Sequence, residues 1–292
     1  MANFTSHKKL ALLLIAPQLV ITLLFFIWPA FMALVQSVYF SDAFGLKQQF
    51  AGLSNFVDLL LDPEFTHAIL MTIILAFSVA AVTMCMGLFL AYLVSQRSKS
   101  QKIYKTLLIW PYAVAPAIAA ILWRFLCQPG MGWFSHIMEA VGIHFNYLTH
   151  PGQALIVIII AASWQQFSYN FLFFLAALKA IPHSLIDAAV IDGATSWQRF
   201  WQIIFPLLSP TTFFLLVMNL IYGFFETFGI VDILTSGGPG TSTSTLIYKI
   251  YRDGFVGMDP GSSASQSVIL MLLVVGLTLL QFYYLEKRIH YK

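Results

Sequence analysis

Six stretches of the chain are nearly unbroken runs of apolar residues, at about 10–36, 67–94, 105–127, 153–178, 207–233 and 263–285. Each holds the ~20 residues that a helix needs to cross the hydrocarbon core of a bilayer. The pattern therefore predicts an all-α integral membrane protein with six transmembrane helices. The first run follows His7, Lys8 and Lys9, is longer than a signal-peptide core, and shows no A-x-A cleavage site. It is read as a retained signal-anchor helix, with Pro17 and Pro29 as breakers that a membrane helix tolerates when neighbours satisfy the freed carbonyls. Between the runs lie loops at 37–66, 128–152 and 234–262, marked by the turn formers Asp62-Pro63, Gln128-Pro129-Gly130 and Gly237-Gly238-Pro239-Gly240.

Charge orients these elements. Lys8, Lys9, Arg97, Lys99, Lys102, Lys105, Lys179, Arg199, Lys287, Arg288 and Lys292 fall on one side of the expected membrane. Only Lys47, Lys249 and Arg252 fall on the other, and Arg124 lies inside the third run. Eleven against three puts both termini in the cytoplasm by the positive-inside rule. Composition agrees with a membrane location: 9% of the residues are charged and 59% are hydrophobic, against about 25% charged in soluble domains. A net charge of +3, scattered along the chain, excludes a nucleic-acid partner and leaves membrane lipid as the surrounding medium. Cys85 and Cys127 lie in or beside apolar runs and read as inert thiols.

The stretch LIDAAVIDGATSWQRFWQIIFP, 185–206, is unlike an ordinary connector. A helix is expected from near Ser184 through Asp187, Ala188, Ala189 and Asp192. Gly193 can take the left-handed conformation that ends it. Thr195-Ser196-Trp197-Gln198 then offers a T-x-x-Q capping box for a second short helix, which Pro206 is expected to stop where the fifth span begins. By pattern alone this is either an amphipathic helix lying at the headgroups or a docking element.

The order D-A-A-x-x-D-G-A over Asp187 to Ala194, then I-x-F-P ending at Pro206, resembles the coupling loop of binding-protein-dependent ABC importer permeases, E-A-A-x-x-D-G-A and I-x-L-P. Asp187 stands for the usual Glu and Phe205 for the usual Leu. AGLSNF (51–56) and FGIVDILTSGGPGTSTSTLIYKIY (228–251) extend the resemblance to the sugar-type members, and PYAVAPAIAAILW (111–123) with SYNFLFFLAALKAIP (168–182) to the glycerol-3-phosphate importers among them. The resemblance implies the type I permease fold, with residues 1–66 as a first helix and periplasmic loop. Residues 67–292 would then form a five-helix core carrying a coupling loop at about 182–206. It implies a permease of the bacterial inner membrane that works with a second homologous permease, two ATP-binding subunits and a periplasmic solute-binding protein. Residues Asp187, Ala188, Ala189, Asp192, Gly193, Ala194 and Pro206 would dock on the ATPase. ATP and Mg would be used by that partner, with no cofactor on this chain. The solute implied is sn-glycerol-3-phosphate; maltose-like oligosaccharides or another sugar form the alternative, and an ion-coupled secondary transporter the alternative of another class.

Polar side chains inside the apolar runs are costly and mark functional positions. Gln165, Gln166, Ser168, Tyr169 and Asn170 lie mid-way along the fourth run, and Asn219, Tyr222 and Glu226 share a helical face in the fifth. Gln165, Tyr169, Asn170, Asn219, Tyr222 and Glu226 are the candidate translocation path; the competing reading is that they glue helices together. Arg124 either pairs with Glu226 or snorkels to the headgroups. No catalytic residue and no metal site is expected: there is no G-x-x-x-x-G-K-[ST], GGPGTSTST has no lysine, and the histidines, including His136, His144 and His150, show no zinc spacing.

Overall fold

The computed structural model describes residues 7–41, 48–96 and 101–285. Arg97, Lys99, Lys287, Arg288, Lys292 and Lys47 lie outside them. The elements are α1 (Leu13–Gln36), a hairpin of β1 (Tyr39–Ser41) and β2 (Gln48–Phe50), α2 (Ser54–Leu61), α3 (Pro63–Ser95), α4 (Gln101–Ile109), α5 (Pro116–Cys127), α6 (Trp133–Ala140), α7 (Pro151–Ala180) and α8 (His183–Ile191). After them come α9 (Ser196–Leu207) and α10 (Ser209–Glu226), then α11 (Phe228–Thr235), α12 (Leu246–Tyr251) and α13 (Pro260–Leu285). Among the described residues four helices are long and apolar enough to cross a membrane alone, and two bent pairs bring the number to six.

Those two pairs are the third and fifth spans, each bent at a break rather than continuous. The third bends by 97° between Lys102–Ala113 and Pro116–Cys127. Pro116 has no amide hydrogen and forces the residue before it out of the helical region; Ala115 is extended at ψ 142° and Val114 at ψ 129°. The fifth bends by 66° between Ser196–Leu207 and Ser209–Glu226. Pro206 does not stop the helix. The Phe205 amide bonds five residues back to the Phe200 carbonyl, and this widened turn accommodates the proline ring. The break falls at Leu208, ahead of Pro210. A further interruption at Thr227 separates α10 from α11, so the span expected over 207–233 ends at Glu226.

The chain divides into two compact units, residues 1–62 with 249–271, and residues 63–248 with 272–292. In the first, β1 and β2 pair antiparallel with Tyr39 opposite Phe50. The AGLSNF segment closes this hairpin: Gly52 takes a left-handed φ of 59°, and Asn55 donates to the Ser37 carbonyl at 2.9 Å and the Tyr39 carbonyl at 3.1 Å. Ser265 donates to the same Ser37 carbonyl at 2.9 Å. Lys249, buried, contacts Asp253 at 2.9 Å and Asp62 at 3.2 Å, and Gln266 donates to Asp253 at 2.7 Å. Burial pulls the Lys249 pKa down, but the hydrogen bonds and charges of Asp253 and Asp62 outweigh it and hold it above the ordinary lysine value.

The second unit is built on α3 and α7. Lipid is as apolar as leucine, so membrane helices associate through close packing and buried hydrogen bonds rather than hydrophobic burial. Small residues provide the closeness: a side chain on Gly87 would meet Asn170 Cβ at 2.6 Å and the backbone of Asn170 and Phe171 at 3.0 Å. Gly223 on α10 lies equally close to α3, where a Cβ would meet Ala76 Cα at 2.5 Å. Towards one end Leu75, Val79, Val157, Ile158, Ile230 and Leu234 form a buried cluster. Towards the other, Phe171, Phe174, Ile204, Leu208 and Leu215 form a second.

Two measurements test this account. Gly87→Val must drive α3 from α7 and is expected to cost about 1–3 kcal/mol of stability, seen as a lower unfolding temperature of the purified complex. Lys249→Met is expected to cost about 1.5–3 kcal/mol. The lysine's folded-state pKa lies above its unfolded value. Its stabilisation is therefore full below about pH 10.4 and fades as pH climbs through the raised value. The gap in unfolding temperature between wild type and variant should stay constant up to that point and then narrow.

Candidate functional site

Two features stand out in the second unit: a surface helix pair and a cavity. Helix α8 ends in a left-handed turn at Gly193, φ 79°. The Ala194 amide reaches back to the Ala189 carbonyl at 2.9 Å and the Gly193 amide to Val190 at 3.1 Å, the paired bonds that satisfy the last carbonyls of a helix. The expected capping box then starts α9. The Gln198 amide donates to Thr195 Oγ1 at 3.3 Å, and the Thr195 amide donates to Gln198 Oε1 at 2.9 Å. Both short helices are thus held by their own backbone chemistry. Asp187, Ala188, Asp192, Gly193 and Pro206 are exposed, Ala194 is half-buried and Ala189 is buried. Large apolar side chains lie open on the same pair, with Ile191 86% and Trp197 72% exposed.

The cavity, about 560 Å³, lies where the broken span meets α7 and α10. Its polar lining comes from Tyr112, Gln165, Gln166, Tyr169, Tyr222 and Glu226. The break leaves carbonyls without helical partners, and α7 supplies one: Gln165 Nε2 donates to the Val114 carbonyl at 2.8 Å. The Tyr222 hydroxyl reaches Gln165 Oε1 at 3.3 Å, so one amide ties α10 to the break. Tyr169 packs against Tyr112, ring centroids 5.8 Å apart, and against Phe173 at 4.7 Å.

Of the six residues assigned from sequence to a path, Gln165, Tyr169, Tyr222 and Glu226 line this cavity. Asn170 and Asn219 do not; they face each other in a reciprocal pair. Asn219 Nδ2 donates to Asn170 Oδ1 at 2.6 Å, and Asn170 Nδ2 to Asn219 Oδ1 at 2.9 Å. Thr83 on α3 donates to Asn219 Oδ1 at 3.2 Å. A widened turn over Tyr222–Glu226 breaks the simple helical spacing that grouped Asn219 with Tyr222 and Glu226. Arg124 does not pair with Glu226; it donates to the Ile233 carbonyl at 3.2 Å. Sequence reasoning passed over Tyr112 and the backbone of Ala113 to Pro116. The signal was Pro111 and Pro116 flanking a short stretch inside an apolar run, since breakers at membrane depth occur where backbone lines a cavity or is rescued by neighbours. Among the described residues no group of three or more His, Cys, Asp and Glu side chains is placed to hold a metal ion.

Comparison with known proteins agrees with this architecture. Residues 83–291 match the family described as binding-protein-dependent transport system inner membrane component. The sn-glycerol-3-phosphate transport system permease protein UgpA of Rhizobium meliloti (strain 1021) is 52% identical over 285 residues, covering 98% of this chain and 97% of that protein. The protein of the same name from Yersinia enterocolitica is 50% identical over 287 residues, with the same coverage. Among solved structures, a chain of a bacterial ABC transporter involved in the import of the acidic polysaccharide alginate superposes with a TM-score of 0.84 at 23% identity, covering 97% of this chain and 96% of that one. A chain of a bacterial alginate ABC transporter in complex with an alginate pentasaccharide-bound periplasmic protein gives 0.82 at 22% identity, covering 96% of each chain. The chain belongs to the binding-protein-dependent transport system inner membrane components, as a multi-pass permease subunit of an ABC transporter.

Proposed function

We propose that this chain is one of two permeases in an ATP-driven importer of sn-glycerol-3-phosphate and related glycerophosphodiesters. Its partners in this reading are a second homologous permease, two ATP-binding subunits that use ATP and Mg, and a periplasmic solute-binding protein. ATP hydrolysis belongs to the partners, and this chain is not itself an enzyme. Relatives 50–52% identical over nearly their whole length, named as glycerol-3-phosphate permeases, support the solute.

One observation carries the mechanism. The exposed pair α8–α9 is the covalent link between α7 and α10, the helices that supply Gln165, Tyr169, Tyr222 and Glu226 to the cavity. A push on that pair is delivered to both walls of the cavity at once. In this reading both termini and the helix pair face the cytoplasm. Asp187 meets a cation on the ATPase, while Ala188, Ala189, Asp192, Gly193, Ala194 and Pro206 shape the docked surface. Exposed Ile191 and Trp197 add the apolar contact that interfaces bury at their centre. ATP-driven closure shifts the permease between states only through contacts that differ between them, and the helix pair is the element that changes partners. The amides and phenols of the cavity suit glycerol hydroxyls, and Glu226 accepts from a hydroxyl rather than facing the phosphate.

Uptake of labelled glycerol-3-phosphate and maltose by cells with and without this chain tests the solute; maltose uptake alone depending on it would transfer the assignment to that sugar. In the same assay Gly193→Pro is expected to abolish uptake while membrane insertion stays normal, because proline cannot adopt φ 79°. Normal uptake by that variant would overturn the coupling role. Glu226→Gln is expected to raise the apparent KM of uptake with no loss of thermal stability. Asn219→Leu is expected to lower the thermal stability, by about 0.6–1.7 kcal/mol.

A further inference from the structure

A second cavity, about 370 Å³, opens between the last turns of α3 and helix α4. It shares no lining residue with the first. Leu90, Leu93 and Val94 form one wall and Tyr104 and Leu108 the other, spacings that put each set on one helical face. Leu93 and Tyr104 are 47% exposed. The walls lack the small residues that let α3 approach α7, so they are not shaped for another backbone. Lys102 and Lys105, both exposed, lie on α4 beside the groove rather than in its lining. Neither has an ion-pair partner among the described residues. No Asp or Glu occurs anywhere between Phe65 and Met138, so the stretch that builds the groove carries lysines and no acid of its own.

We propose that this groove binds an anionic phospholipid of the phosphatidylglycerol type. One acyl chain fills the apolar groove, the Tyr104 hydroxyl lies at the headgroup level, and Lys102 and Lys105 take the phosphate. The groove alone gives no preference among lipids, because every acyl chain presents the same surface. Selectivity comes from the lysines flanking the groove and the absence of acids on the segments that form it, the charge pattern that draws anionic lipid to membrane helices. A zwitterionic headgroup carries its own cation to those lysines and gains little.

The test uses the complete transport complex in phosphatidylcholine nanodiscs. A trace of phosphatidylglycerol bears a photoactivatable group on its acyl chain, and a matching phosphatidylcholine probe is the control. The phosphatidylglycerol probe is expected to label peptides covering 90–108 and to be displaced by unlabelled phosphatidylglycerol but not by phosphatidylcholine. Lys102→Gln with Lys105→Gln should weaken labelling by roughly fivefold per lysine, with labelling of α1 unchanged. Lys102→Arg with Lys105→Arg should retain it, which separates charge from misfolding. Equal labelling by both probes, or labelling indifferent to the lysines, would reduce the groove to annular lipid. A photo-crosslinker placed at Leu93 that captured the second permease would show a protein interface instead, and either result overturns the proposal.

Discussion

The second unit depends on the buried amide pair of Asn170 and Asn219. Two carboxamides that each donate to the other leave no polar group facing hydrocarbon, where an unmade hydrogen bond has no water to replace it. Thr83 joins the pair from α3, so the contact fixes three helices at one level. Gly87 and Gly223 make it geometrically possible, because a side chain at either would meet neighbouring backbone. The cavity lies close by on the same two helices. Its shape follows from α7 and α10 being unable to slide past each other.

That rigidity lets the third span be broken. A bend of 97° in a membrane-crossing segment strands backbone carbonyls, and it is stable only where a neighbour answers them. Gln165 does so at Val114 and is itself reached by Tyr222. The same amide therefore repairs the break and lines the cavity, so its roles as structural glue and as cavity wall are not alternatives. The sequence treated them as rivals because spacing within one helix says nothing about which other helix its face meets.

The helix pair α8–α9 follows a different logic. Its turn and caps are satisfied locally, through Gly193, Ala189, Thr195 and Gln198, so it keeps its shape while presenting Ile191 and Trp197 outward. A preorganised surface element loses little conformational entropy when a partner docks. It also transmits a displacement rather than absorbing it, since each end runs into a cavity-lining helix.

What the sequence determined by itself was whatever depends on near neighbours or on composition. The spanning runs follow from hydropathy. The left-handed turn at Gly193 and the capping box at Thr195–Gln198 follow from residues at most four apart. The motif over Asp187 to Ala194 was legible for the same reason. The tertiary structure alone decided that Asn170 and Asn219 face each other and that Gln165 serves a carbonyl on another helix. It alone placed the fifth span's break at Leu208 rather than Pro206, and it turned Arg124 to the Ile233 carbonyl. Each of these joins positions tens of residues apart or turns on a shift of helical register. In a membrane such contacts are chosen by packing and polar satisfaction between helices, which no local pattern encodes.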